Sequence, residues 1–149
     1  MTITPPGTSS GRILGIDPGE RRVGLALSDP LGIIAQPLAV LDRRRGDFLE
    51  RLRAALDDNE VTRVVIGLPV SLSGHEGAAA RRARALGETV ATEIQIPVEF
   101  HDERFTTTLA ESALLEGDVR RHTRRAVRDK VAAALMLQGY LDGARRERP

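Results

Sequence analysis

The segment Thr62 to Leu68 carries β-branched and apolar residues on both faces of an extended chain, so it needs cover from both sides. Helical periodicity stands on each side of it. Before it, Asp47 and Glu50 suit a capping box, and Phe48, Leu49, Leu52 and Leu56 recur at helical spacing up to Asp57 or Asp58. After it, Ser73 with Glu76 suits a second cap, followed by an inward stripe of Ala79, Ala83, Leu86 and Val90. Ile96 to Asp102 reads as a further strand. Thr108 with Glu111 opens a short helix over Leu109 to Glu116, and Val127 to Leu141 a long one that is apolar on most of its surface. Strands alternating with helices require parallel crossovers.

The N-terminal part is different. Arg12 to Ile16 runs into the turn Asp17-Pro18-Gly19, and Arg22 to Ser28 resumes with Val23, Leu25 and Leu27 on one face, which predicts a hairpin. Gly32 to Leu41 adds a third strand, at an edge or strand end because of Pro37. The whole is an α/β chain with a mixed sheet and helices on both faces. It is expected to form one domain over residues 12–142, with a disordered tail over 1–11 and a basic tail over 143–149.

The chain has 149 residues and no cysteine, which excludes disulfides, thiolate nucleophiles and Cys-ligated metals. There is no signal-like start and no apolar run of the roughly 20 residues a membrane helix needs, so a cytoplasmic protein is expected. Its 22 basic and 21 acidic residues leave a net charge of +1, a balance that by itself speaks against nucleic acid. The balance is a cancellation. Residues up to Glu116 hold 13 basic and 17 acidic side chains, whereas Gly117 to Pro149 holds 9 and 4, with Arg120, Arg121, Arg124, Arg125, Arg128 and Lys130 clustered.

Carboxylates stand where they are costly unless used: Asp17 ends the first strand, Asp102 and Glu103 end the last, and Asp129 begins the long apolar helix. If the two strands are neighbours and that helix crosses their ends, the acids meet. An all-oxygen cluster of this kind needs cations and favours Mg²⁺ or Mn²⁺ over zinc. Strand alternation groups Glu103 with Glu99 and His101, and Asp102 with Val98 and Phe100. Alternation does not choose between Asp102 and Glu103.

Four blocks, RILGIDPGERRVGLALSDPLGIIAQPL, VVIGLPVSLSGHEG, VEFHDERFTT and VRDKVAAALMLQGYLD, occur in the order of the signature blocks of the YqgF/RuvX family, which the chain resembles from Arg12 to Asp142. The resemblance implies a ribonuclease H-like fold related to Holliday-junction resolvases, and a nuclease that processes pre-16S rRNA. It matches Asp17, Glu103 and Asp129 to the family's three catalytic, metal-binding acids, and so selects Glu103 over Asp102. It also matches Gly19 and Gly24 to the family's turn and close-packing glycines. Pro18, Val70, Ser71 and His75 depart from the common pattern.

For substrate contact, the loop from Gly67 through Gly74 offers backbone N–H groups before a helix N-terminus, and Arg104, Arg124, Arg125, Arg128 and Lys130 offer cations for phosphates. Gly19 is included with them. Thr106 and Thr107 suit caps, and His75, His101 and His122 suit loop or surface positions. With only Phe48, Phe100, Phe105 and Tyr140 as aromatics, recognition rests on backbone and shape rather than base stacking.

The leading expectation is a metal-dependent endonuclease acting on structured RNA, with ribosomal precursor particles as partners and a monomeric or homodimeric state. Its rivals are a Holliday-junction resolvase, a nucleotide-binding domain of the sugar-kinase and actin type, and a non-catalytic RNA-binding assembly or transcription factor.

Overall fold

A computed structural model describes residues 11–103 and 121–147, with backbone alone at 121–126 and 147. Strand β1 (Arg12–Pro18) turns into β2 (Arg22–Ser28), and β3 (Ala35–Asp42) follows. Then come α1 (Phe48–Asp58), β4 (Val61–Leu68), α2 (Ala78–Thr89) with a π-helical turn at Val90–Ile94, β5 (Val98–Asp102) and α3 (Arg121–Glu147). The β1–β2 turn closes through the Gly19 N–H, which donates to the Arg22 carbonyl at 2.9 Å. A Cβ on Gly19 would run into that carbonyl, so the turn requires glycine.

The five strands form one sheet in the order β3-β2-β1-β4-β5. β2 is antiparallel to both β1 and β3, whereas β4 is parallel to both β1 and β5. Pro37 sits in the edge strand β3, where a missing N–H is tolerated. One face of the sheet presents Leu14, Ile16, Val23, Leu25, Val64 and Ile66, which are buried against Phe48, Leu52 and Leu56 of α1 and Ala80, Ala83 and Leu86 of α2. The other face buries Ala26 and Val65 under Ala133, Met136, Leu137 and Leu141 of α3. Full burial of each large side chain contributes about 1.5–3 kcal/mol, so the first face carries most of the apolar stabilisation.

Several local expectations give way to stronger partners. Asp47 precedes α1 but caps nothing. Its carboxylate accepts from Arg51 Nε at 2.8 Å, and a turn brings the Phe48 N–H to the Arg45 carbonyl. Ser73 and Glu76 do not cap α2, which starts after Gly77. Glu76 is gripped through both oxygens by Arg84, at 2.6 and 2.7 Å, a charge-assisted fork that outcompetes a backbone amide. Ala80 rather than Ala79 faces the core. α3 is longer than its apolar stretch and continues through Glu147, so most of the expected basic tail is helix. Arg145 and Arg146 in its last turn complement the helix dipole. The helix expected over Leu109 to Glu116 and the tail before Gly11 lie outside the described residues.

Candidate active site

Because β4 and β5 run parallel to β1 while β2 runs against it, one end of the sheet collects the C-terminal ends of β1, β3, β4 and β5 and the start of β2. Asp17, Glu103 and Arg22 all fall at this end. Alternation along β1 puts Asp17 on the same face as Ile13 and Gly15, the face that α3 covers. Asp17 is directly cross-strand from Gly24.

Gly24 fixes where Asp129 lies. A Cβ at Gly24 would meet the Asp129 carbonyl group, with its carbon at 2.7 Å and the Ala133 Cβ at 3.4 Å. The backbone of α3 therefore rests on the bare floor of β2, next to Asp17. The Asp129 carboxylate turns to Arg22, with Oδ2 at 3.2 Å from Nε, on side chains that are each about one-third exposed or less.

Gly67 does the same for Glu103. A Cβ there would collide with the Glu103 carboxylate and stand 3.1 Å from Met136 Cγ. Glu103, just beyond β5, thus lies over the end of β4 beneath α3, in phase with Glu99 and His101 as alternation requires. Gly15 completes the floor, under Leu137. Three strand glycines let one helix approach the sheet closely, so that a helix acid and two strand-end acids share one end of it.

Among the described residues, no group of three or more His, Asp or Glu side chains is close enough to hold a metal ion. The fold brings the three acids to one end of the sheet without closing them into a coordination sphere. By donor type the set is all oxygen and fits a hard divalent cation.

The other candidates divide. Gly19 holds the turn two residues after Asp17, and its carbonyl lies 3.4 Å from Arg43 Nη1. Gly74 adopts a positive φ of 88° and donates its N–H to the Ser71 carbonyl. The N–H groups of Ser71 and His75 are likewise bonded within the loop, to the His75 carbonyl and Ser71 Oγ. The Val70–Glu76 bridge closes this loop into a small hairpin rather than an open cradle of amides, with Leu72 93% exposed at its tip. Arg128 is exposed and Lys130 partly buried beside Asp129 on α3. Arg124 and Arg125 are on the same helix with side chains outside the description, and Arg104 lies outside the described residues.

His101 is not a surface residue. It is partly buried with its ring edge-on to Tyr140, and burial lowers its pKa, against a smaller opposing effect of the Asp102 charge.

Arg22 and Gly67 were the residues that sequence reasoning underused. Arg22 is two residues before Gly24 and so on the same face of β2, a relation visible in the alternation, but its partner lies more than a hundred residues away.

Mixed five-stranded sheets of this order, with acids at the strand ends, define the ribonuclease H-like class. The chain has that fold: it superposes on "T. thermophilus RuvC in complex with Holliday junction substrate" with a TM-score of 0.52 at 19% identity, covering 89% of this chain and 96% of that one. A second RuvC structure from Thermus thermophilus gives 0.50 at 17% identity, with the same coverage. The chain belongs to the RuvX family, whose profile, described as "Holliday junction resolvase", matches residues 11–143. A relative from Dictyoglomus thermophilum is 47% identical over 134 residues, 89% of this chain and 96% of its own. One from Symbiobacterium thermophilum is 49% identical over 142 residues, covering 93% and 96%. Both carry the name "Putative pre-16S rRNA nuclease".

Proposed function

We propose that the protein is a metal-dependent endonuclease that hydrolyses phosphodiester bonds in structured RNA and processes the 5′ end of pre-16S rRNA in the cytoplasm. The observation that carries this reading is the delivery of Asp17, Glu103 and Asp129 to one end of the sheet, over strand glycines whose missing side chains make the room. The names of its relatives support the substrate.

Asp17, Glu103 and Asp129 would hold Mg²⁺ or Mn²⁺, which supplies activation of water and charge stabilisation in phosphodiester hydrolysis. Asp17 is held by the β1–β2 pairing and Asp129 by the helix seated on Gly24, so both backbones are rigid before substrate arrives. Arg22 neutralises the Asp129 carboxylate and orients it. The described aromatics offer no stacking platform: Phe48 is buried, Phe100 lies under the Arg84 guanidinium at 5.2 Å, and the Tyr140 hydroxyl donates to Glu99 at 2.5 Å. Binding therefore depends on phosphates, falls steeply with salt, and draws on Arg104, Arg124, Arg125, Arg128 and Lys130.

The fold likeness and the description of the family favour a second reading, cleavage of a four-way DNA junction, which would need two symmetry-related sites in a dimer. Incubating the protein with a precursor 16S fragment and with a synthetic junction, each with Mg²⁺ or Mn²⁺, separates the two. The expected result is cleavage of the RNA, abolished in Asp17→Asn and Asp129→Asn while binding persists. Cleavage of neither substrate in metal-replete buffer would count against both readings.

A further inference from the structure

The end of the sheet that carries the acids also carries arginines on its other side, facing α1 and α2. The carboxylates nearest to them in the chain are taken. Asp42 lies 3.5 Å from Arg21, Asp47 lies 3.4 Å from Arg45 and 2.8 Å from Arg51, and Glu76 lies 2.6 Å from Arg84. Arg43 and Arg82 pair with no carboxylate among the described residues, although both are partly buried.

Arg43 is fixed from two sides. Its backbone N–H donates to the Arg21 carbonyl at 2.8 Å, and its guanidinium reaches the Gly19 carbonyl at 3.4 Å, in the turn that follows Asp17. It lines a cleft of about 350 Å³ with Arg45 and Phe48 on one wall and Ala85, Leu86 and Thr89 of α2 on the other. Arg82 stands one helical turn before Leu86. Arg82, Ala85, Leu86 and Thr89 share one face of α2, which puts Arg82 at the end of the cleft wall that Arg43 faces; burial, and then the charge of Arg82, lower the pKa of Arg43. Arginine side chains are cations, and no carboxylate among the described residues offsets these two, so their mutual repulsion is a cost to the free protein.

An anion between them removes that cost, and planar guanidinium forks match phosphate oxygens. Arg44 and Arg81, their exposed neighbours in the chain, add two further cations, a local charge that suits a polyanion better than one isolated phosphate.

We propose that Arg43 and Arg82 form a phosphate clamp for the backbone of the substrate nucleic acid, on the sheet face opposite α3 and tied through Gly19 to the turn beside Asp17. The clamp rests on the reading of the protein as a nucleic-acid enzyme and adds a contact region far in sequence from the basic segment of α3. A strand crossing the end of the sheet would then be gripped on both sides of the acids.

The test is binding of a fluorescein-labelled precursor 16S fragment, followed by anisotropy in EDTA across a salt series, for the wild type, Arg43→Gln/Arg82→Gln and Arg43→Lys/Arg82→Lys. Two lost phosphate contacts reduce the slope of log affinity against log salt by about 2, and the lysine pair restores most of it. An unlowered thermal midpoint for the glutamine pair separates a lost contact from a lost fold. If a folded glutamine pair keeps the wild-type slope, or if the wild type does not bind the fragment, the clamp is refuted. Cleavage in Mg²⁺ is scored separately: a reduced slope without any wild-type cleavage upholds the clamp and overturns the nuclease reading, and cleavage with an unchanged slope does the reverse.

Discussion

Gly24→Ala tests the geometry on which the site depends. The added Cβ would stand 2.7 Å from the Asp129 carbonyl carbon, whereas non-bonded carbons settle at about 3.5–4.0 Å, so α3 and β2 must separate by about 1 Å. Neither partner gives easily. The near atoms are backbone, and one and two turns further along α3 Ala133, Met136 and Leu137 are fully or almost fully buried against the sheet. Overpacking of this kind costs about 1–3 kcal/mol, and each kcal/mol lowers the melting temperature by about 2–4 °C in a chain of this size. The same displacement moves Asp129 relative to Asp17, and if Asp129 is the catalytic acid proposed above, a misplacement of about 1 Å costs about 100-fold in rate. Urea denaturation and RNA cleavage of Gly24→Ala are to be compared with Gly46→Ala, where an added Cβ meets nothing within 4 Å. Equal stability and equal cleavage for Gly24→Ala and the wild type would show that α3 does not rest on β2 as described.

Further predictions follow from individual contacts. Gly143 lies within α3 with open space at its Cβ position, so Gly143→Ala stabilises the protein by about 0.5–1 kcal/mol in urea melts; destabilisation would contradict a helix there. Gln138 accepts from the Ala35 N–H at 2.9 Å and donates to the Ile33 carbonyl at 2.9 Å, so Gln138→Ala costs about 1–3 kcal/mol and speeds amide exchange at Ala35. Asp29 accepts from the N–H groups of Ile33 at 2.7 Å and Ile34 at 3.0 Å, and its pKa is lowered, foremost by the Ile34 bond. A carboxyl depressed by folding stabilises above its unfolded pKa and loses that contribution as pH falls through the folded value. Urea midpoints for the wild type should therefore fall more steeply than those of Asp29→Asn below about pH 4; parallel curves would remove Asp29 from that role.

The strands and helices were legible because they rest on local periodicity. Arg22 to Ser28 and Phe48 to Asp58 read as they fold, and the doubly apolar Thr62 to Leu68 indeed lies between two sheet neighbours and two helix layers. Caps were misread at Asp47 and Glu76 for one reason. The cap spacing registers the amide but overlooks a guanidinium a turn or two further along the chain, Arg51 for Asp47 and Arg84 for Glu76, and a charge-assisted bond is the stronger one. Loop amides at Ser71, Gly74 and His75 were assigned to a ligand because nothing in their order reveals that the loop bonds to itself.

The sequence by itself determined the class of fold, and its resemblance to the RuvX family pointed to three acids, with Glu103 in place of Asp102. Tertiary structure decided how they are supported. Gly24 beneath Asp129, Gly67 beneath Glu103 and Arg22 on Asp129 are pairs separated by about 35 residues or more. Periodicity has a reach of a few residues, whereas these contacts exist only once the hairpin and the parallel crossovers have laid β2, β1, β4 and β5 side by side and α3 has settled on the glycine floor of β1, β2 and β4.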